Sequence, residues 1–223
     1  MLRRHGTTGI PMMLAAAFAL AQTAVPTAAP TPSAPRRSAS PPGTAATQVG
    51  GKWSEPDKNG EQRYVGGKWI EITYGRPILR GRTEIFGRGG DYGKKVNAGA
   101  PVWRAGANQT TRLKTEVPLE IGGKRLELGD YSLFVDLDGG VWKLIVSTQP
   151  YQEKYDPNEK AKTWGAYNYD PKYDVVRVPM KMVTPILNIE QFTIEFVNMT
   201  DKGGAIAMGW EKTGGVAPFT VAQ

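Results

Sequence analysis

The sequence predicts an all-β fold, a single antiparallel β-sandwich or a barrel-like variant of one. Three observations predict it. Apolar and polar residues alternate with period two along several short runs, which places one set of side chains on each face of a strand. Glycine pairs at Gly122-Gly123 and Gly139-Gly140 separate such runs, and glycine supplies the positive φ that a tight hairpin demands. No window of twelve or more residues carries helical spacing, whereas strand-like runs recur about every 10 residues, as in sandwiches and barrels.

Taken from the N-terminus, the first fifty residues contain no Asp, Glu or Lys. Arg3, Arg4 and His5 precede the apolar run Met12–Ala21, with small residues at Ala19 and Ala21. A short basic region, an apolar run and small residues describe a secretory signal peptide over 1–21, cleaved after Ala21. The run is shorter than the roughly 20 residues that span a bilayer, so no stable membrane span is expected after cleavage. A retained anchor is the competing possibility. Residues 22–50 are rich in Ala, Pro, Thr and Ser and offer too little apolar surface to offset the entropy of ordering them, so they read as a disordered linker. The folded domain is then expected over 51–223.

Within it, KWIEITYG sets Trp69, Glu71 and Thr73 against Ile70, Ile72 and Tyr74, a strand with one face inward. PLEIGGKRLEL and DYSLFVDLDGGVWKLIVST each read as hairpins around their glycines. Further strands are expected at Val175–Val183, Asn188–Val197, Ile206–Glu211 and Pro218–Val221, with a turn carrying Asp201, Gly203 and Gly204. Thr148–Thr163 lacks periodicity and reads as a long loop, functional or simply flexible. VGGKW occurs at Val49–Trp53 and again at Val65–Trp69, too short a repeat for a solenoid; a duplicated hairpin edge explains it.

Composition closes several chemistries. Of the 28 Lys and Arg, Arg3, Arg4, Arg36 and Arg37 precede residue 51, which leaves 24 against 21 acidic residues. That is an ordinary surface rather than a footprint for nucleic acid. The chain has no Cys and its one His is His5, inside the signal. The mature protein therefore lacks the parts for Ser-His-Asp or Cys-His catalysis, for the usual zinc sites and for disulfides. No cofactor or metal is expected. Stability rests on a core, for which about 170 residues suffice.

ITYGRPILRGRTEIFG, PVWRAGANQTT, LELGDYSLFV and WGAYNYDPKYDVVRV, in that order, resemble an exported bacterial family, the domain of unknown function 2911. The resemblance covers about residues 65–222. It implies an exported, periplasmic or extracellular, single-domain β protein, and it supplies no catalytic residues. One departure is the insertion-like GRGGDYGKKVNAGA ahead of Trp103, which implies a larger rim there.

With His and Cys gone, Arg, Trp, Tyr, Asn and carboxylates remain as tools. Arginine offers a planar fork of donors suited to anions, so Arg76, Arg80, Arg82 and Arg104 are candidates for an anionic ligand, or else pair with carboxylates on solvated faces. Trp103, Trp164 and Tyr167 lie in or beside turns, where rings stack on sugars or plug the ends of a core. Asn108 completes the candidate set. Phe134, Trp142, Phe192 and Phe196 read as core. The leading expectation is a non-catalytic binding module for a small anion, a glycan or an envelope protein partner. Its rivals are a hydrolase of envelope glycans, with Asp136 or Glu127 as acid or base across a cavity, and a purely structural envelope protein. Asp138, beside two glycines, reads as a turn residue.

Overall fold

The computed structural model describes residues 38–222, which form fourteen β-strands. In chain order these are β1 (Pro42–Val49), β2 (Lys52–Trp53), β3 (Tyr64–Val65), β4 (Lys68–Gly75), β5 (Thr111–Thr115), β6 (Leu119–Ile121) and β7 (Lys124–Leu126). Then follow β8 (Gly129–Asp136), β9 (Lys143–Ser147), β10 (Asp174–Pro179), β11 (Lys181–Val183), β12 (Ile189–Thr200), β13 (Gly203–Glu211) and β14 (Thr213–Val221). The signal over 1–21 and the linker from 22 to 37 lie outside the described residues.

Two antiparallel sheets face each other. The first has the order β1-β4-β5-β8-β9-β10, and the second β12-β13-β14-β6-β7 with β11 also paired to β14. The architecture is therefore an antiparallel sandwich and not a closed barrel. Alternation builds the layer between the sheets: Ile70, Ile72, Leu113, Leu133, Val135, Leu144 and Val146 from one, Ile121, Phe192, Ile194, Ile206, Met208 and Phe219 from the other. Polar partners of the same strands point away, as period-two geometry requires. After β4 the chain crosses between the sheets, where the Phe192 amide donates to the Pro77 carbonyl and the Leu79 amide to that of Glu190.

The expected hairpins form. Gly122 and Gly123 both take positive φ, 57° and 73°, in the β6–β7 turn. Within 87–100 lie a 3₁₀ turn, Gly89–Asp91, and a single helical turn, Lys94–Asn97.

The structure corrects one expectation. The linker does not extend to residue 50, because Pro42–Val49 is a strand in eight-residue register with β4. Its composition hid it for a physical reason: an edge strand gains its hydrogen bonds from its neighbour, and here only Ala45 and Val49 are buried. Thr148–Thr163 is a long loop, as expected, and it forms a cover. It opens a segment that runs to Tyr169 and lies over the outer face of β8 and β9. There Ala100, Val102, Phe134, Ile145 and Ala166 form a second small core, with Tyr169 against it. That is why consecutive residues are buried in both strands, Ser132–Val135 of β8 and Leu144–Ser147 of β9. The half of the sheet made by β1, β4 and β5 stays uncovered, and the cleft begins at this boundary.

Candidate functional site

On the outer face of the first sheet the register aligns one cross-strand row: Thr44 beside Thr73, Thr73 beside Arg112, Arg112 beside Ser132, Ser132 beside Ser147. The covering segment buries Ser132 and Ser147 and leaves the other three on the floor of a cleft of about 670 Å³. The walls come from Ser38–Gly43, from the loop Ala107–Thr110, and from Tyr151–Glu153 with Trp164.

The Arg112 guanidinium lies over the Tyr151 ring, 4.5 Å from its centroid. It donates to Tyr151 Oη at 2.6 Å and to Glu153 Oε1 at 3.0 Å. Stacking and ion pairing fix its fork at the cleft floor while countering its charge. The wall bearing Tyr151 is set by two buried glutamines. Gln149 donates to the Asn168 carbonyl at 2.7 Å and accepts from the Asp170 amide at 2.9 Å. Gln152 donates to the Glu159 carbonyl and accepts from the Asp156 amide. Thr110 Oγ1 donates to the Gly165 carbonyl at 2.9 Å and ties this cover to the neighbouring loop. Trp164 stands against Tyr155, ring centroids 5.7 Å apart.

The loop at residues 104–110 is shaped by close backbone approach. A side chain on Gly75 would place Cβ 2.0 Å from the Ala107 carbonyl oxygen, so only glycine lets β4 pass beneath it. Asn108 adopts φ 64°, a conformation that Asn tolerates. Its amide nitrogen donates to Ser38 Oγ and to the Ser40 carbonyl, each at 3.2 Å, and draws the incoming chain across the cleft wall.

The residues singled out from sequence part company here. Asn108 and Trp164 line the cleft. Arg104 and Tyr167 lie together beside it: the Arg104 guanidinium is 5.7 Å from the Tyr167 centroid, donates to the Asn108 carbonyl, and would touch any Cβ at Gly165. Burial pushes its pKa down from the usual arginine value. Trp103 is a core residue, 1% exposed, with rings of Phe192, Phe86, Trp142 and Trp210 around it at 4.9–6.4 Å. Its isolated bridge to Val135 points the ring between the sheets. Arg76 donates to the Phe192 carbonyl and Thr193 Oγ1, Arg80 to the Ala39 carbonyl, and Arg82 to the Ile78 and Leu79 carbonyls beside Trp210. The arginines therefore do not converge. Each caps backbone carbonyls near the crossing segment instead.

Arg112, Tyr151, Thr73 and Glu153 were not singled out. The alternation in TTRLKTE already turned Arg112 outward, but only register could set it beside Thr73 and Tyr151.

The covered half of the same face carries a second cleft of about 570 Å³, lined by Tyr92, Asp136, Tyr169 and Arg177 among others. Asp136 receives Lys143, Arg177 and the Asp138 amide. Arg177 also grips Asp174 and Tyr169. Burial, and then the hydrogen bond to Asp174, push the Tyr169 hydroxyl well above the usual tyrosine range. The two carboxylates hold one arginine and do not oppose each other across open space. Glu127 pairs with Arg125 on the β7 edge. Among the described residues, no group of three or more His, Cys, Asp or Glu side chains is placed to hold a metal ion, and no helix is long and apolar enough to cross a membrane.

Fold and site together define the class: a single-domain antiparallel β-sandwich with a cleft of aromatic, amide and hydroxyl side chains on one outer sheet face. The family model described as "Protein of unknown function (DUF2911)" matches residues 55–219, and the chain belongs to that family. No curated protein and no solved structure matches it.

Proposed function

We propose that the chain is an exported, non-catalytic binding module whose cleft takes a carbohydrate-type ligand. The observation that carries this is the lining itself. Tyr151, one face of which carries the Arg112 guanidinium, and Trp164 offer aromatic rings, while Thr44, Thr73, Asn108, Gln109 and the Arg112–Glu153 pair offer donors and acceptors around them. A sugar ring presents an apolar face and a hydroxylated rim, and aromatic side chains with polar neighbours match both. The one arginine of the floor is already countered by Glu153, which favours a neutral ligand over a phosphate or carboxylate.

A binding role is better supported than hydrolysis by the same lining, which contains a single carboxylate, Glu153. Glycoside hydrolysis in its common form needs two, about 5–10 Å apart across the bond. Export is supported by the basic, apolar and small-residue order of residues 1–21.

The test is titration calorimetry of the full chain with disaccharides of β-1,4-linked glucose, N-acetylglucosamine and mannose, and with inorganic phosphate. At least one disaccharide is expected to bind and phosphate is not, with Tyr151→Ala and Trp164→Ala each weakening binding about tenfold or more, or about 1.4 kcal/mol. Binding of phosphate alone, or of no sugar, overturns the proposal.

A further inference from the structure

The cleft opens onto the uncovered strands β1, β4 and β5, and the outer face continues past it. Two residues along from Thr73 comes the row of Ala46, Glu71, Lys114 and Asp130, and two further along lies Trp69 beside Gln48. Four residues of antiparallel strand place Trp69 about 13 Å from Thr73 on the same face. Trp69 is 43% exposed although its backbone is pinned, its amide donating to Glu116 Oε2 and its carbonyl accepting from the Glu116 amide.

The β2–β3 hairpin adds to that end. A Cβ at Gly67 would stand 2.8 Å from the Tyr64 ring and 2.9 Å from Gln48 Oε1, so Tyr64 adjoins the Gln48 side chain, whose strand neighbour is Trp69. Tyr64 is itself fixed, accepting from the Gly51 amide and donating to Asp201. Trp53 packs edge-on against it at 5.6 Å and is 65% exposed. The two copies of VGGKW thus deliver two exposed tryptophans, Trp53 against the Tyr64 ring and Trp69 across the strand pair from Gln48.

We infer that Trp53, Tyr64 and Trp69 form a second aromatic subsite, and that the outer face from the cleft to Trp69 is a track for a glycan chain rather than a single sugar. This rests on the cleft's carbohydrate reading. Rings occur at both ends of the track, and between them lie Glu71, Lys114 and Asp130 with no aliphatic larger than Ala46. The core of a protein interface is depleted of charged residues, whereas three stand in the middle of this stretch. A glycan, apolar on its ring faces and polar along its edges, matches rings spaced by hydrogen-bonding side chains. The rigid backbone around Trp69 and Tyr64 lowers the ordering cost on binding.

The experiment compares di- and hexasaccharides of the three β-1,4-linked series named above on the full chain, as wild type, Trp53→Ala and Trp69→Ala, with melting temperature and sedimentation recorded for each. Both tryptophans are exposed, so melting is expected to change little. The wild type is expected to bind a hexasaccharide about tenfold or more tighter than its disaccharide, and each variant to lose most of that gain while keeping disaccharide affinity within about twofold. Equal affinity at both lengths, with no effect of either variant, overturns the track and leaves the cleft standing. Absence of binding at either length overturns both. Variants that dissociate an oligomer while leaving hexasaccharide affinity intact would make the aromatic end an interface between copies, which also overturns the inference.

Discussion

Trp103 donates to and accepts from the Val135 backbone at 2.8 Å in each direction, and four aromatic rings surround it. Removing such a side chain leaves a cavity that rigid neighbours cannot close. Trp103→Ala is therefore expected to cost about 3–5 kcal/mol in urea or thermal unfolding. Arg80→Ala, at an exposed residue whose side chain among the described residues reaches only the Ala39 carbonyl, is expected to stay within about 0.5 kcal/mol in the same measurement. Tyr169 gives a pH signature. Its folded pKa is raised by burial and by Asp174, so its contribution to stability is complete below the unfolded value of about 10 and is lost as pH rises through the folded one. Melting temperature followed from about pH 8 to 11 is expected to fall, and Tyr169→Phe to flatten that slope. An unchanged slope would show that the hydroxyl does not titrate with unfolding. The motif PVWRAGANQTT divides at this scale: Trp103 seals the core, Arg104 braces the loop from Gly165, and only Asn108 and its neighbours reach the cleft.

At the scale of elements, the segment from Thr148 to Tyr169 does most to define the site, although it contains no strand. Two buried glutamines take the place of a sheet ladder by bonding backbone groups within it. Gln149→Ala would leave the Asn168 carbonyl and Asp170 amide without these partners, at about 1–3 kcal/mol. Limited proteolysis is expected to cut the 153–162 stretch faster in this variant, with the far-ultraviolet circular dichroism of the sheets retained. Equal cleavage rates would mean that the glutamines do not hold the cover. Strands such as β4, β8 and β12 were legible in sequence because burial on one or both faces writes itself into residue type. The order of this segment was not, because glutamines bonded to main chain carry no periodicity. Strand β1 escaped for a related reason, since its partner supplies its hydrogen bonds and the core asks little of its side chains.

For the whole molecule, β1 is both an edge of the first sheet and a wall of the cleft. A chain beginning at residue 51 would leave β4 without its outer partner and remove Ser38–Gly43 from the cleft. Its melting temperature is expected to fall well below that of a chain beginning at residue 38. For domains of this size each 1 kcal/mol corresponds to about 2–4 °C. Equal melting temperatures would show that β1 is dispensable. The sequence by itself determined the antiparallel all-β class, the hairpin glycines, the inward turn of Phe134, Trp142 and Phe192 and the lack of any cysteine, because each follows from local periodicity, turn conformation or composition. Only the tertiary structure decided which outward side chains share a site. Arg112, Thr73 and Tyr151 meet through strand register and loop docking, which depend on partners far apart in the chain. For the same reason Arg76, Arg80 and Arg82, close together in sequence, serve separate carbonyls instead of one ligand.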